Sequence, residues 1–459
     1  MSQPGSADNP LQVAIVGSGP SGFYATEALI KSDPNVRIDM IERLPAPYGL
    51  VRNGVAPDHP KLKQAILLYD KIASNSGEFN YLGNVTVGRD LSVDELCRHY
   101  HAVIFTCGAE TDRKLGIPGE DLDGSYTATE FVGWYNGHPD YRDRTFDLSH
   151  ENAVIIGQGN VAADVSRILA KTVDELKHTD IARHALDVLA ESKIKNIYVI
   201  GRRGPAQAKF TPKELREFGE LADCDPVVNK GDLVLNEASE QELADKSNAG
   251  NLKVYNLFRE FSERSPSDKS KRCHFCFLQS PVALEGDGHL EKVILEINEL
   301  SGEPFKQSAK GTGKKIELET GILFRSIGYR GVPIEGVPFD DKRGVFPNTD
   351  GRITDNGEIV PQLYTAGWIK RGPTGIIGTN RADSVATVNA LLEDVPDLPA
   401  TDQKAGIEGL LPLLKERGIR FVRYPDWKRI DEAEIKRGEP HGKPREKFTS
   451  VEEMLAVIK

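Results

Sequence analysis

Short apolar runs that end in glycine turns, each followed by a segment of helical spacing, are the most informative pattern along this chain. The run from Leu11 to Val16 is apolar on both faces, the pattern of a buried parallel strand. Gly17-Ser-Gly19-Pro-Ser-Gly22 follows it, and Phe23 to Ile30 then carries helical spacing. A strand, a glycine turn and a helix in this order form the setting a dinucleotide fingerprint requires. Gly17 allows the tight turn, Gly19 the approach of a pyrophosphate, and Gly22 close packing of helix on strand. These residues, with Ser21 among them, are the first candidate cofactor contacts. The next strand, Val36 to Ile41, ends at Glu42, roughly 20 residues past the last glycine, where the fingerprint places an acid. A carboxylate there accepts from ribose hydroxyls and repels a 2′-phosphate, so this site suits FAD or NAD rather than NADP.

The pattern recurs. Asn152 to Ile156 leads into Gly157-Gln158-Gly159-Asn160-Val161-Ala162, and a helix is expected from Val161 to Ala170. Alanine takes the third glycine position, which the motif tolerates. Thr172 to Ser192 inserts a largely helical segment before the strand Lys195 to Ile200. That strand ends in Gly201-Arg202-Arg203-Gly204, with no acid and two arginines, a pair that suits a 2′-phosphate. Two sites of opposite charge on one chain imply FAD in the first and NADPH in the second.

Further strands organise the domains. Ala102 to Gly108 returns the chain to the first sheet, with Gly108 small enough for close approach to a cofactor. Near residue 110 the chain leaves for an inserted domain, and Ile322 to Gly328 brings it back. Gln362 to Trp368 is another strand into a glycine-rich turn, Gly372 to Gly378, before a helix over Asp383 to Leu392. A third helix N-terminus thus faces the first cofactor, where it can hold the polar edge of a flavin ring. The expected fold is α/β, two Rossmann-like domains with the NADP domain inserted into the FAD domain: 1–110, 111–328 and 329–459, the last including a charged C-terminal tail.

Composition narrows the class. A chain of 459 residues, 39% apolar and 28% charged, is that of a globular protein of two or three domains. Its net charge of −11 argues against general nucleic-acid binding. No apolar run is long enough to span a bilayer, and the polar, acidic N-terminus lacks the basic start of a secretory signal, so a cytoplasmic location is expected. Five cysteines, an odd and sparse set, read as reduced thiols. Cys273 and Cys276 fall within an expected strand, Arg272 to Leu278, with no helix start to lower a thiol pKa. No metal site is expected.

At this point a resemblance is specific. Gly17 to Gly22, Pro47-Tyr-Gly-Leu-Val-Arg-Asn-Gly-Val-Ala-Pro-Asp-His-Pro60, Gly157 to Val161, Gly201-Arg-Arg-Gly-Pro205 and Ala366-Gly-Trp-Ile-Lys-Arg-Gly-Pro-Thr-Gly375 resemble the adrenodoxin reductase family, in particular its bacterial NADPH–ferredoxin reductases. The resemblance runs from about residue 11 to the C-terminus. It implies hydride transfer from NADPH to FAD and then electron transfer to a ferredoxin-type iron–sulfur protein. It places Glu42 on the FAD ribose, with Leu50 and Val87 against the cofactor, and Trp368 and Gly375, Ile376 and Ile377 on the ring. It places Arg113, Gln158 to Val161, Arg202, Arg203 and Glu214 on NADPH, with Gly375 near both nucleotides, and His59 and Glu217 as an active-site pair. No cluster-binding cysteine set is present, so the acceptor is a separate protein; the enzyme itself is read as a monomer. Two other flavoenzyme readings share the double fingerprint, an NADPH-dependent disulfide reductase and a flavin monooxygenase, as does a non-catalytic NADPH-sensing module. The basic run Arg259, Arg264, Lys269, Lys271 and Arg272, with Lys370 and Arg371, is the candidate docking surface for an acidic ferredoxin.

Overall fold

The computed structural model describes residues 2–75, 77–265, 267–400 and 402–459. The chain clusters into two compact units, residues 1–111 with 328–459, and residues 112–327.

In the first unit the apolar runs pair as parallel strands, the arrangement that buries a run on both faces. Among the described residues the sheet has seven strands. Leu11–Val16 lies at its centre, flanked by Val36–Glu42 and Ala102–Phe105, both parallel to it. Phe79–Gly83 extends one side and Glu358–Thr365 the other, again in parallel. Two short antiparallel strands, Asn348–Thr349 and Arg352–Asp355, complete the edge. One face packs under the helices Pro20–Ile30 and Thr379–Asp394 through Phe23, Leu29, Val388 and Leu391. The other packs against Leu96, Leu410 and Leu414.

Among the described residues the second unit has a six-stranded parallel sheet. Asn152–Ile156 lies between Ile322–Arg325 and Asn196–Ile200, and Lys271–Cys276 lies between Asn196–Ile200 and Cys224–Val228. A three-stranded antiparallel sheet, Gln279–Glu285, Lys292–Ser301 and Ser308–Glu319, covers one face through Leu284, Val293 and Leu295. The sequence reading has no counterpart for this sheet. Its outer strand is exposed along nearly its whole length and rich in lysine, so it lacks the apolar alternation that marks a strand.

Several expected elements shift. The strands expected to reach Gly108 and Gly328 stop at Phe105 and Arg325, leaving the glycines in the turns beyond. Trp368 is not in a strand: Glu358–Thr365 ends first, and Trp368 opens a short helix. The last Rossmann helix starts at Thr379, directly after Gly378, rather than at Asp383. Among the described residues no helix is long and apolar enough to cross a membrane.

Candidate functional site

In the first unit the turn after the central strand is forced on the chain by its neighbours. Gly17 has φ +106°, and a Cβ there would lie 2.8 Å from the Thr106 carbonyl. A Cβ at Gly22 would lie 2.3 Å from Gly17 O, so only glycine lets the helix start this close to the strand. Gly19 and Gly108 face open space, with nothing within 4 Å of an added Cβ. Glu42 accepts from Ser18 N–H at 3.0 Å, Ser18 Oγ at 2.6 Å and Leu44 N–H at 3.1 Å. A carboxylate has about four acceptor positions, so it keeps capacity for a further donor.

Other predicted residues gather around this turn. Tyr48 N–H donates to Ser18 O at 3.0 Å, and Gly49 packs against Gly19, which brings Leu50 beside the turn. Val87 is buried in the cluster that includes Val16 and Ile41. A Cβ on Gly367 would lie 2.1 Å from Ser21 Oγ, and Ser384 Oγ donates to Ser21 O at 3.1 Å, so the Trp368 turn and the last helix also meet the glycine turn. Gly375, Ile376 and Ile377 lie just before that helix. Leu50 and Ile376 leave apolar side chains uncovered, 40% and 66% exposed. Trp368 stacks on Tyr329 at 5.4 Å, and its buried Nε1 has no hydrogen-bond partner among the described residues. An idle buried donor, uncovered apolar side chains and open glycines fit a large aromatic group with polar edges, as FAD is. His59 is buried and stands at the N-cap position of the short helix Pro60–Lys63, without a side-chain capping bond.

In the second unit Gly157 has φ +133°, and a Cβ would lie 2.1 Å from Ser326 O, while Gly159 faces open space. Gln158 Nε2 donates to Cys276 O at 2.8 Å, and Asn160 Oδ1 accepts from Thr211 N–H at 2.8 Å. Thr211 also caps the helix Pro212–Glu217, which carries Glu214 and Glu217. Val161 lies in the first turn of the helix Asn160–Ala170. Arg202 and Arg113 are exposed and Arg203 half-buried. Gly375, read as near both nucleotides, falls in the first unit.

The three helices that begin at these turns share one feature. Pro20–Ile30, Asn160–Ala170 and Thr379–Asp394 have glycine N-caps with no side-chain cap and no acid in the first turn. The partial positive charge at their starts suits phosphates or an anionic ring edge, although in the third helix the amides of Thr379, Asn380 and Arg381 already donate to the carbonyls of Ile376, Ile377 and Gly378. Val93–His99 and Ala128–Tyr135 instead carry complete capping boxes.

Sequence reasoning missed two buried arginines. Arg52 pairs in two places with Glu434, at 2.8 and 2.6 Å, and lies over the Trp427 ring. Arg167 has no exposed surface and meets Asp164 at 2.6 Å, Glu214 at 3.3 Å and Glu217 at 3.6 Å. Both sit in segments whose pattern marks apolar faces, and a charge there looks like a surface residue.

Of the expected docking run Arg259 is exposed, while its other members are engaged within the unit. Burial holds Lys271 below its ordinary pKa, and its Nζ donates to Leu169 O. Arg264 pairs with Glu260, Lys269 donates to Leu221 O, and Arg272 donates to the carbonyls of Ser267 and Lys271. Lys370 and Arg371 are both paired with Asp383. The cysteine pair offers no disulfide centre. Three residues apart in one strand, Cys273 and Cys276 point to opposite faces. Burial raises the Cys273 thiol well above its ordinary range and pushes Cys276 up to about 12.

No family model matches the chain. The mitochondrial NADPH:adrenodoxin oxidoreductase of Arabidopsis thaliana is 44% identical, covering 98% of this chain and 96% of that protein. NADPH-ferredoxin reductase FprA of Mycobacterium leprae is also 44% identical, covering 97% of this chain and 98% of its own. The structure of Mycobacterium tuberculosis FprA in complex with NADPH superposes with a TM-score of 0.92 at 42% identity, over 98% of this chain and 99% of the other.

Proposed function

The chain belongs to the adrenodoxin reductase family of NADPH–ferredoxin reductases, and on that premise we propose how its residues divide the work. It is an FAD-dependent oxidoreductase that passes electrons from NADPH to a ferredoxin-type iron–sulfur protein. FAD, when bound, supplies the exchange between two-electron and one-electron chemistry.

The observation that carries the assignment of residues is the opposite charge at two equivalent strand ends. In the first unit Glu42 binds the ribose of FAD, and its charge repels a 2′-phosphate. Gly17, Gly19, Ser21 and Gly22 let the pyrophosphate reach the amides of the helix Pro20–Ile30. Leu50, Val87 and Gly108 shape the wall. Trp368 Nε1 and the Gly375, Ile376 and Ile377 backbone hold the polar edge of the ring. In the second unit Gly157, Gln158, Gly159, Asn160 and Val161 take the NADPH pyrophosphate, Arg202 and Arg203 its 2′-phosphate, and Arg113 and Glu214 the remaining polar groups. Hydride transfer breaks no O–H or N–H bond, so His59 and Glu217 act as orienting groups. Arg167 is the counter-ion that fixes Glu217 and Glu214 in place.

The test is anaerobic. NADPH added to the holoenzyme should bleach the flavin band within seconds, and added ferredoxin should restore it. Two newly titratable thiols on reduction would favour a disulfide reductase instead. Oxygen uptake that depends on an organic substrate would favour a monooxygenase, and no bleaching at all would leave only an NADPH sensor.

A further inference from the structure

In the first unit the residue before Gly49 adopts a backbone that glycine would normally supply. Tyr48 has φ +85°, and Gly49 follows at +49°. A left-handed conformation is costly for a residue with a Cβ and persists only where its surroundings impose it. On one side those surroundings are the first glycine turn. Tyr48 N–H donates to Ser18 O at 3.0 Å, and a Cβ on Gly49 would lie 2.9 Å from Gly19 Cα. Ser18 is thus held twice, its N–H and Oγ by Glu42 and its carbonyl by Tyr48.

On the other side stands the helix Tyr424–Gly438 from the C-terminal end of the chain. The buried Tyr48 hydroxyl meets the Tyr424 hydroxyl at 2.9 Å and Trp427 Nε1 at 3.4 Å. Tyr424 donates to Asp70 Oδ1 at 2.6 Å, and Lys428 donates to the same oxygen at 2.8 Å. A carboxylate only accepts, and an indole N–H only donates. The direction of every bond follows: Trp427 donates to Tyr48, Tyr48 to Tyr424, and Tyr424 to Asp70. One turn beyond Tyr48, Arg52 donates to both oxygens of Glu434 at 2.8 and 2.6 Å and lies 5.0 Å over the Trp427 ring. Lys447 Nζ donates to Arg52 O at 3.0 Å. The short helix Gly49–Asn53, which carries Leu50, is therefore tied from both ends to the C-terminal segment. Buried ion pairs and hydrogen-bond chains add little stability over apolar packing, but they fix position.

We propose that Tyr48 and Arg52 are positioning residues for FAD: through them the helix Tyr424–Gly438 sets the Ser18–Gly19 turn against the pyrophosphate of the cofactor. The proposal rests on the reading of the first unit as the FAD site. It adds to the glycine motif a support that lies 376 positions along the chain from Tyr48, at Tyr424.

Two measurements on the full-length holoenzyme test it: the rate of FAD release on dilution, followed by the rise of free-flavin fluorescence, and the phosphorus NMR resonances of bound FAD. Tyr424→Phe removes the acceptor of the Tyr48 proton and should speed release ~5- to 10-fold, the effect of one lost hydrogen bond. The phosphorus resonances should shift while the visible flavin band keeps its position, because the turn meets the pyrophosphate and not the ring. Glu434→Gln, which keeps the side-chain shape, should speed release ~10-fold or more by weakening the hold on Arg52. Tyr424→Phe loses a single oxygen atom and keeps the test decisive if Glu434→Gln does not fold. Unchanged release in Tyr424→Phe overturns the proposal. Faster release with unmoved phosphorus resonances also overturns it, since a helix that only stabilised the unit would act in that way. The control is Gly19→Ala, whose added methyl group meets nothing in the protein within 4 Å. It should speed release as well; if it does not, the pyrophosphate lies elsewhere and the reading of this turn as the FAD site fails first.

Discussion

At Gly17 and Gly157 the chain makes the same move, with φ of +106° and +133° and a carbonyl where a Cβ would stand. At Gly19 and Gly159 it leaves open space, and each turn feeds an uncapped helix. The two sites part at the third position. Gly22 has no room for a methyl group against Gly17 O, whereas the second helix accommodates Ala162. They part again at the next strand end, with Glu42 in one unit and Arg202 and Arg203 in the other. On the proposed assignment, the backbone lets a pyrophosphate approach, and the strand-end side chains select which nucleotide carries it. The support differs as well. Glu42 is held by its own turn, through Ser18 and Leu44. Arg202 is held from far along the chain, by Asn298 Nδ2 donating to its carbonyl at 2.9 Å.

The buried arginines give the largest expected effects. Among the described residues Arg52 has one carboxylate, Glu434, whereas Arg167 has three. Glu434→Ala should destabilise the protein by about 3–5 kcal/mol, because it leaves a buried charge uncompensated. Glu217→Gln should cost less than about 1 kcal/mol, because two carboxylates remain around Arg167. Urea unfolding of the two variants checks the contrast, and similar losses would break it.

The third motif position comes next. Gly22→Ala places a methyl group against a backbone oxygen that cannot move aside, and overpacking of this kind costs about 1–3 kcal/mol. Flavin retention after gel filtration should therefore fall by about tenfold or more. Ala162→Gly should cost only about 0.5–1 kcal/mol of helix stability and leave NADPH binding nearly unchanged.

A smaller effect should follow from Asn298→Ala. Loss of one hydrogen bond, worth about 1 kcal/mol, should raise KM for NADPH a few-fold while flavin content stays at the wild-type level. No change in KM would mean that Arg202 needs no support from the antiparallel sheet.

That sheet also shows where sequence reading runs out. The parallel strands, the glycine turns and the charges at the strand ends are local patterns, visible in any window that contains them. The support of Arg202 joins residues 96 positions apart, and that of Arg52 joins residues 382 apart. No periodicity connects such pairs. Arg167 was hidden for a different reason: in an amphipathic helix a charge is normally read as solvent-facing, yet its three carboxylates bring it inside. The exposed, lysine-rich strand Ser308–Glu319 gave no alternation to read, and the basic run near residue 270 looked like surface because its backbone carbonyl partners have no sequence signature.

The smallest predicted contrast is in pH. Burial pushes the Asp112 carboxyl of the second unit up to about 6, from an ordinary 3.8. The folded state then holds the proton more tightly than the unfolded one, so the stability it contributes is full below 3.8 and is lost as pH rises through about 6. Asp112→Asn should remove that loss, raising Tm relative to wild type above this window but not at its acid end. In the first unit Glu95, hydrogen-bonded by Arg417, is lowered to about 2 from 4.5, so its contribution is present above 4.5 and is lost as pH falls toward 2. Because Arg417 is 38% exposed, solvent screens that ion pair and its effect is small. Thermal melts of Asp112→Asn and Glu95→Gln between these limits should therefore depart from wild type in opposite directions.

The central claim, that charge at the strand end selects the nucleotide, is tested most directly by the double variant Arg202→Ala, Arg203→Ala. Its KM for NADPH and for NADH should be measured in ferredoxin-linked turnover, with flavin content determined in parallel. Each lost charged hydrogen bond is worth about 1.5–3 kcal/mol, so preference for NADPH should fall at least about tenfold, with FAD retained in full. Unchanged preference for NADPH in a flavin-replete double variant would contradict the account.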